Sequence, residues 1–168
     1  MNKNQMKQTI FNNTVTTDNI YAIVGRWDLQ YKFENFEVDV IEKLPKNLAF
    51  ISICDPSSKP IKTNNHFTSE LFISFYDVEE EWSSKIIPLD IYQGKEIYDF
   101  IMENKDKQFL INCEAGISRS AGVGLAIEYL FRDKYMYPKW EHFPSKVLQH
   151  SRYMPNMTVF NRITMWEQ

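Results

Sequence analysis

Four short apolar runs, rich in β-branched and aromatic residues, constrain the fold of this chain more than any other feature. They are Asn19–Val24 (NIYAIV), Leu48–Cys54 (LAFISIC), Leu71–Tyr76 (LFISFY) and Gln108–Asn112 (QFLIN). Runs of this length bounded by polar or turn residues favour strands over helices. The second and third runs are apolar almost throughout, which predicts strands buried on both faces, as in a largely parallel sheet.

Helical segments are predicted between and after these strands. Apolar residues recur at helical spacing in Phe36–Leu44, Ile91–Asn104 and Ser120–Asp133. Two more helices are expected near Pro144–His150 and over Asn156–Trp166, the latter with Asn156 as its N-cap. Alternating strands and helices predict an α/β fold with a mostly parallel central sheet flanked by helices. We expect one domain over residues 19–168, preceded by a polar arm over residues 1–18.

Composition excludes several functional classes. The 168 residues carry a formal net charge of −3 and no lysine- or arginine-rich run, so a nucleic-acid partner is not expected. No apolar stretch approaches the roughly 20 residues that cross a bilayer, and Met1–Thr17 lacks the apolar core of a signal peptide. We therefore expect a soluble cytoplasmic protein without a membrane partner, in which both cysteines, Cys54 and Cys113, are free thiols.

The segment that carries chemistry runs from Cys113 to Arg119, with five residues between the two. It follows a predicted strand and precedes a predicted helix, so the chain must turn within a tight loop. Backbone N–H groups in such a loop can point inward and bind an anion, and the N-terminus of the following helix adds donors and positive potential. Gly116 permits a close approach of the backbone or an unusual backbone angle.

This loop is therefore predicted to hold a tetrahedral phosphate. Arg119 supplies a planar fork for two phosphate oxygens, and Cys113 lies at the base of the cradle as a nucleophile. The predicted phosphate-binding residues are Glu114, Ala115, Gly116, Ile117, Ser118 and Arg119.

The segment Cys113–Ser120 resembles the signature H-C-x-x-G-x-x-R-S/T of the protein tyrosine and dual-specificity phosphatases. Every position matches except the first, where Asn112 stands in place of histidine. The later segment from Ser151 to Ile163, which includes Pro155-Asn156, is similar to the Arg, Pro-Asn and Phe tail of small dual-specificity phosphatases. The closest resemblance is to the compact single-domain bacterial and phage-type members, over about residues 48–166.

The resemblance implies a mechanism. The Cys113 thiolate would attack phosphorus to form a phosphocysteine, Arg119 would stabilise the transferring phosphoryl group, and the Ser120 hydroxyl would hydrogen-bond the departing thiolate. The family also uses an aspartate as general acid, about 30–40 residues before the cysteine. Asp77 lies 36 residues upstream and is the expected acid, with Asp90 expected to cap the next helix instead. The nearby Glu79, Glu80 and Glu81 are not aspartates. No metal or other cofactor is implied.

The resemblance implies that the substrate and partner is a phosphorylated protein. Phosphotyrosine is the expected substrate residue, and a shallower pocket would also admit phosphoserine or phosphothreonine. Two alternatives stay open. A catalytically inactive relative could bind phosphorylated residues through the same loop, and a rhodanese-like domain for sulfur or arsenate chemistry can also hold a C-x5-R loop. Cys54 is expected to be a buried inert thiol, the alternative being a partner for Cys113 in a disulfide formed under oxidation.

Overall fold

The computed structural model describes residues 8–168, apart from the side chain of Phe33. Within this range the chain forms six strands, which are β1 Ile20–Gly25, β2 Gln30–Phe33, β3 Phe36–Asp39, β4 Ala49–Cys54, β5 Ser69–Ser74 and β6 Phe109–Cys113. The α-helices are α1 Arg26–Leu29, α2 Ile91–Glu103, α3 Arg119–Leu130, α4 Lys146–Gln149 and α5 Met157–Thr164. Short 3-10 helices cover Ile41–Lys43 and Trp140–His142.

The central sheet has the strand order β1-β6-β4-β5, and each neighbouring pair is parallel. The predicted α/β class with a mostly parallel central sheet is therefore confirmed. In a parallel sheet the carboxyl ends of all strands meet at one edge. The loops that follow Gly25, Cys54, Ser74 and Cys113 consequently converge there.

Alternate residues of the strands face two separate cores. One core includes Ile51, Ile53 and Ile111 and is covered by the four helices α2 to α5. The other includes Phe50 and Leu110 and is covered by α1, the 3-10 helix at Ile41–Lys43 and the chain before β5. The described part of the predicted arm, residues 8–18, contributes the buried Val15 to the first core, while residues 1–7 lie outside the described residues. No helix in the described part is both long and apolar enough to span a membrane.

The helix predicted over Phe36–Leu44 is wrong. The chain there forms β3, which pairs with β2 as an antiparallel hairpin, and then the short 3-10 helix. The hairpin turns at Glu34, whose φ of 54° lies in the left-handed region. The apolar spacing across this segment joins two different elements, and the pairing of β2 with β3 overrides the local helical pattern.

The strand around Leu71 exists, but the prediction that it is buried on both faces is wrong. Leu71 and Ile73 are buried, whereas Phe72 and Ser74 are exposed. The reason is that β5 lies at the edge of the sheet, so one of its faces is only partly covered. β4 has neighbours on both sides, and all six of its residues are buried.

Side-chain caps begin the helices α2, α4 and α5, and the sequence predicts those of α2 and α5. The Asp90 carboxylate accepts hydrogen bonds from the N–H groups of Tyr92 and Gln93 at the start of α2. The Asn156 side chain accepts one from Val159 at the start of α5. α4 is shorter than predicted, because Ser145 caps it and it ends at Gln149.

A buried carboxylate holds α4 against α3. Glu128, on α3, accepts hydrogen bonds from the Ser145 hydroxyl and from the N–H groups of Lys146 and Val147. Burial raises the pKa of Glu128, even though these three hydrogen bonds act to lower it. The folded state therefore favours the protonated carboxyl more than the unfolded state does.

This asymmetry predicts how stability depends on pH. The contribution of protonated Glu128 is complete below its ordinary pKa of 4.5 and is lost as pH rises through the raised pKa. In denaturant titrations, the free energy of unfolding of the native protein, relative to that of Glu128→Gln, should thus decline as pH rises above 4.5. Glu141→Gln, at an exposed position, is the control and should show no such trend. A difference that grows with pH would contradict the assignment.

Candidate active site

The Cys-Arg loop, Cys113 to Arg119, links β6 to α3 at the carboxyl edge of the sheet. Its sharpest constraint is Gly116, whose φ is 69°. A Cβ atom there would lie 2.2 Å from the backbone nitrogen of Gly25 and 2.3 Å from the carbonyl carbon of Val24. Because both are backbone atoms of β1, neither can move aside. Only glycine therefore lets the loop lie against the end of β1.

The loop is anchored through its carbonyl oxygens. The Glu114 carbonyl accepts from the N–H of Arg26 at 3.0 Å, and the Ile117 carbonyl accepts from the N–H of Met154 at 3.0 Å. The Ser118 carbonyl accepts from the N–H groups of Gly122 and Asn156. The N–H groups of Ala115, Ile117 and Ser118 have no acceptor among residues 8–168. The loop thus points carbonyls outward and leaves donors for an anion.

The Cys113 sulfur lies inside this loop. Cys113 is only 2 % exposed. The N–H of Gly116 points at its Sγ at 3.3 Å, and the Ser120 Oγ is 3.1 Å from the same sulfur. Ser120 is fully buried on the first turn of α3. The structure thus brings the predicted nucleophile and the predicted hydroxyl into direct contact.

The side chain of Arg119, the last residue of the loop, is held by two protein acceptors. Its side chain is buried, and its Nη1 donates to the Asp55 carboxylate at 2.6 Å and to the Phe75 carbonyl at 2.7 Å. Its Nε is buried and has no hydrogen-bond partner in the described part of the chain. Because Nη1 is occupied by protein acceptors, the edge formed by Nε and Nη2 is left for a ligand. That edge is the one that binds two oxygens of a phosphate.

The sequence did not single out Asp55 as a site residue, and its contact with Arg119 was missed. The contact arises because Asp55 follows β4, and the carboxyl end of β4 lies at the same edge of the sheet as the loop after β6. An acidic residue directly after a neighbouring parallel strand was the available signal.

Asp77 lies three residues after the end of β5. Its Oδ1 accepts from the Ser118 hydroxyl at 2.8 Å and from the Asn156 side-chain amide at 3.0 Å. The side chain is exposed at the rim of the loop. By contrast, Asp90 is engaged as the cap of α2, and the Glu79 carboxylate accepts from the N–H of Met157. Of these acids, only Asp77 contacts the Cys-Arg loop.

A solved structure with a similar backbone identifies the fold. The human tyrosine phosphatase-like serine/threonine/tyrosine-interacting protein matches with a TM-score of 0.50 and 16 % identity, over 73 % of this chain and 77 % of that chain. The chain has the fold of the cysteine-dependent tyrosine and dual-specificity phosphatases. The PTP-2 phosphatase of Cydia pomonella matches with a TM-score of 0.48 and 18 % identity, over 71 % of each chain. The Yvh1 phosphatase domain of Chaetomium thermophilum matches with a TM-score of 0.44 and 17 % identity, over 71 % of this chain and 77 % of that chain.

These likenesses are structural. No protein-family model matches the sequence, and no curated protein matches it.

Within this phosphatase fold, Asn112 occupies the position where the signature has histidine. Asn112 is buried, its Nδ2 lies 3.5 Å from the Cys113 carbonyl as donor, and its Oδ1 has no hydrogen-bond partner among the described residues. The amide thus contacts the backbone of the nucleophile but cannot carry a positive charge.

The rim of the phosphatase-like loop differs on its two sides. Glu114 is half-buried and lies 3.5 Å from Arg26 as an ion pair, so its charge is directed at a neighbour on α1. Ile117 is 38 % exposed and presents an apolar surface. Neither side chain offers a positive charge to a polyanionic substrate.

The second cysteine, Cys54, lies close enough to the loop for the charge of Glu114 to affect the pKa of its thiol. Cys54 is buried at the end of β4, and both cysteines are free thiols. Burial raises the pKa of the Cys54 thiol, and the negative charge of Glu114 raises it further. The thiol form is thereby favoured, as expected for an inert buried cysteine. The disulfide with Cys113 stays a prediction. Among residues 8–168, no group of three or more His, Cys, Asp or Glu side chains could hold a metal ion.

The Asp55 contact predicts how the fork of Arg119 is held. Replacing Asp55 by alanine removes one of the two acceptors of Nη1 and lets the guanidinium rotate, so the affinity for vanadate should fall about tenfold. Asp55→Asn keeps an oxygen acceptor and should lose less than about threefold. Calorimetry measures the vanadate affinities of the two variants and of the native protein. Equal affinities in the alanine variant and the native protein would show that Asp55 does not orient Arg119.

Proposed function

We propose that this protein is a cysteine-dependent phosphatase that hydrolyses phosphomonoesters of proteins, with phosphotyrosine as the principal substrate. Phosphoserine and phosphothreonine would follow where the pocket is shallow enough to admit them. The observation that carries the proposal is the loop itself. It points the Gly116 N–H at the Cys113 sulfur and ends in a buried Arg119 whose Nε has no hydrogen-bond partner among residues 8–168.

The first step of the proposed reaction is attack of the Cys113 thiolate on phosphorus. The S–P bond forms while the bond from phosphorus to the ester oxygen breaks, giving a phosphocysteine. The N–H groups of the loop and the fork of Arg119 would stabilise the charge on the equatorial oxygens. Asp77 would supply the proton that the leaving oxygen needs, since its carboxylate is exposed and contacts the loop at the Ser118 hydroxyl.

In the second step, water would attack the phosphocysteine and release inorganic phosphate. Asp77, now deprotonated, would accept a proton from that water. Cys113 leaves as a thiolate, and the Ser120 hydroxyl, 3.1 Å from the sulfur, would donate a hydrogen bond to it. The hydroxyl thus acts on the leaving group of this step and not on the substrate.

Hydrolysis of para-nitrophenyl phosphate without added metal tests the proposal. The native protein should turn the ester over, vanadate should block it, and Cys113→Ser should lower turnover by at least about three orders of magnitude. Cys54→Ser is the matched control, because it also removes a buried thiol at the end of a strand, and it should keep most of the activity. Turnover that survives in Cys113→Ser would overturn the proposal.

The role of Asp77 predicts a dependence on the leaving group. Nitrophenolate leaves with little help, whereas tyrosine, with a pKa near ~10, needs a proton. Asp77→Asn should therefore lower kcat/KM for a phosphotyrosine peptide about 100-fold or more and that for para-nitrophenyl phosphate far less. Asp90→Asn, at the cap of α2, is the control. Equal losses on both substrates would remove Asp77 from the role of acid.

A phospho-residue-binding protein without activity is the second candidate. Asn112 favours it, because this residue replaces the histidine of the phosphatase signature and leaves a buried Oδ1 without a partner among the described residues. A folded, reduced protein that hydrolyses no aryl phosphate but binds a phosphotyrosine peptide would support this reading. Transfer of sulfur from thiosulfate to cyanide would instead support rhodanese-like chemistry.

A further inference from the structure

The segment that carries Asp77 is attached to the N-terminus of α5. The Glu79 side chain accepts a hydrogen bond from the N–H of Met157 at 3.0 Å, and the Glu79 carbonyl accepts one from the Thr158 hydroxyl at 2.7 Å. Met157 is the first residue of α5. The N–H groups in the first turn of a helix have no acceptor inside that helix. A carboxylate there also interacts favourably with the helix dipole.

Asn156 adds a second attachment at the same place. Its Oδ1 accepts from the N–H of Val159, which caps α5, while its Nδ2 donates to the Asp77 carboxylate and to the Val78 carbonyl. Its own N–H donates to the Ser118 carbonyl in the Cys-Arg loop. Asn156 is 3 % exposed, so these bonds form in a protected environment. Asn156 therefore joins the helix, the loop and the segment of Asp77, the loop through its backbone N–H and the other two through its side chain.

We propose that Glu79 is a positioning residue, which fastens the segment Asp77–Glu79 to the N-terminus of α5 and so holds Asp77 over the Cys-Arg loop. We call this contact the α5 latch, made by Glu79 with Met157 and Thr158. The proposal rests on the proposed function in that Asp77 is taken as the acid. It assigns Glu79 no contact with substrate.

The geometry explains why a latch matters for proton transfer. Asp77 is exposed, and its segment has no regular secondary structure. Both described donors to Asp77, Ser118 and Asn156, bind its Oδ1, which leaves Oδ2 to carry the proton. Rotation or withdrawal of the segment would move Oδ2 away from the leaving oxygen, and proton transfer needs the two within hydrogen-bond reach. Because Glu79 lies two residues after Asp77, its attachment to α5 limits that movement.

The test compares Glu79→Ala with Glu80→Ala on two substrates. Glu80 is exposed and makes no hydrogen bond or ion pair among the described residues, so it is a matched control for loss of one acidic charge. Glu79→Ala should lower kcat/KM for a phosphotyrosine peptide about tenfold and for para-nitrophenyl phosphate less than about twofold. Glu79→Gln keeps an oxygen acceptor and should recover part of the loss. Equal behaviour of Glu79→Ala and Glu80→Ala would overturn the proposal.

A second comparison shows whether Glu79 acts through Asp77. In the Asp77→Asn background, Glu79→Ala should change phosphotyrosine turnover by less than about twofold, because the acid it positions is already absent. A full tenfold loss in that background would mean that Glu79 acts by another route, and the proposal would fall.

A readout without catalysis separates this proposal from the proposed function. Hydrogen exchange of the Met157 amide, followed by NMR, should become at least about tenfold faster in Glu79→Ala and stay unchanged in Glu80→Ala. If the native protein shows no turnover that depends on Cys113, the proposed function fails, and this exchange rate still decides whether the latch exists. Unchanged exchange of Met157 in Glu79→Ala would exclude the latch whatever the activity.

Discussion

The close contact between Gly116 and the end of β1 is the constraint on which the rest of the site depends. With a φ of 69° and no room for a Cβ atom, Gly116 lets the loop lie directly on the backbone of Val24 and Gly25. With the loop in this position, its carbonyls accept from donors on α1 and before α5, and the Gly116 N–H points at the Cys113 sulfur. The geometry of the loop is thus set by the backbone of β1 and not by the side chains of the loop.

The parallel sheet supplies the remaining parts from separate positions along the chain. Asp55 follows β4, Asp77 follows β5, and the Cys-Arg loop follows β6, so all three meet at the same edge. Asp55 accepts a hydrogen bond from the guanidinium of Arg119, and Asp77 accepts one from the Ser118 hydroxyl. Each carboxylate therefore has a distinct partner, which keeps the buried positive charge paired while one edge of Arg119 is left for a ligand.

The sequence was informative where structure is local. The strand, loop and helix around Cys113 could be predicted because the spacing to Arg119 and the apolar flanks lie within one short segment. The partners of Asp55 and Glu79 could not, since they arise from the convergence of strand ends and from the position of α5. The hairpin over residues 30–39 was missed for a related reason, because a short apolar pattern does not distinguish two paired strands from one helix.

The proposed function requires that Cys113 carries the phosphoryl group during turnover. The most direct measurement is the intact mass of the protein after acid quenching of its reaction with an aryl phosphate, followed by peptide mapping. We expect one added phosphoryl group, located on Cys113 and absent when vanadate is present. Rapid release of phosphate with no adduct on Cys113 at any quench time, or an adduct on another residue, would contradict it.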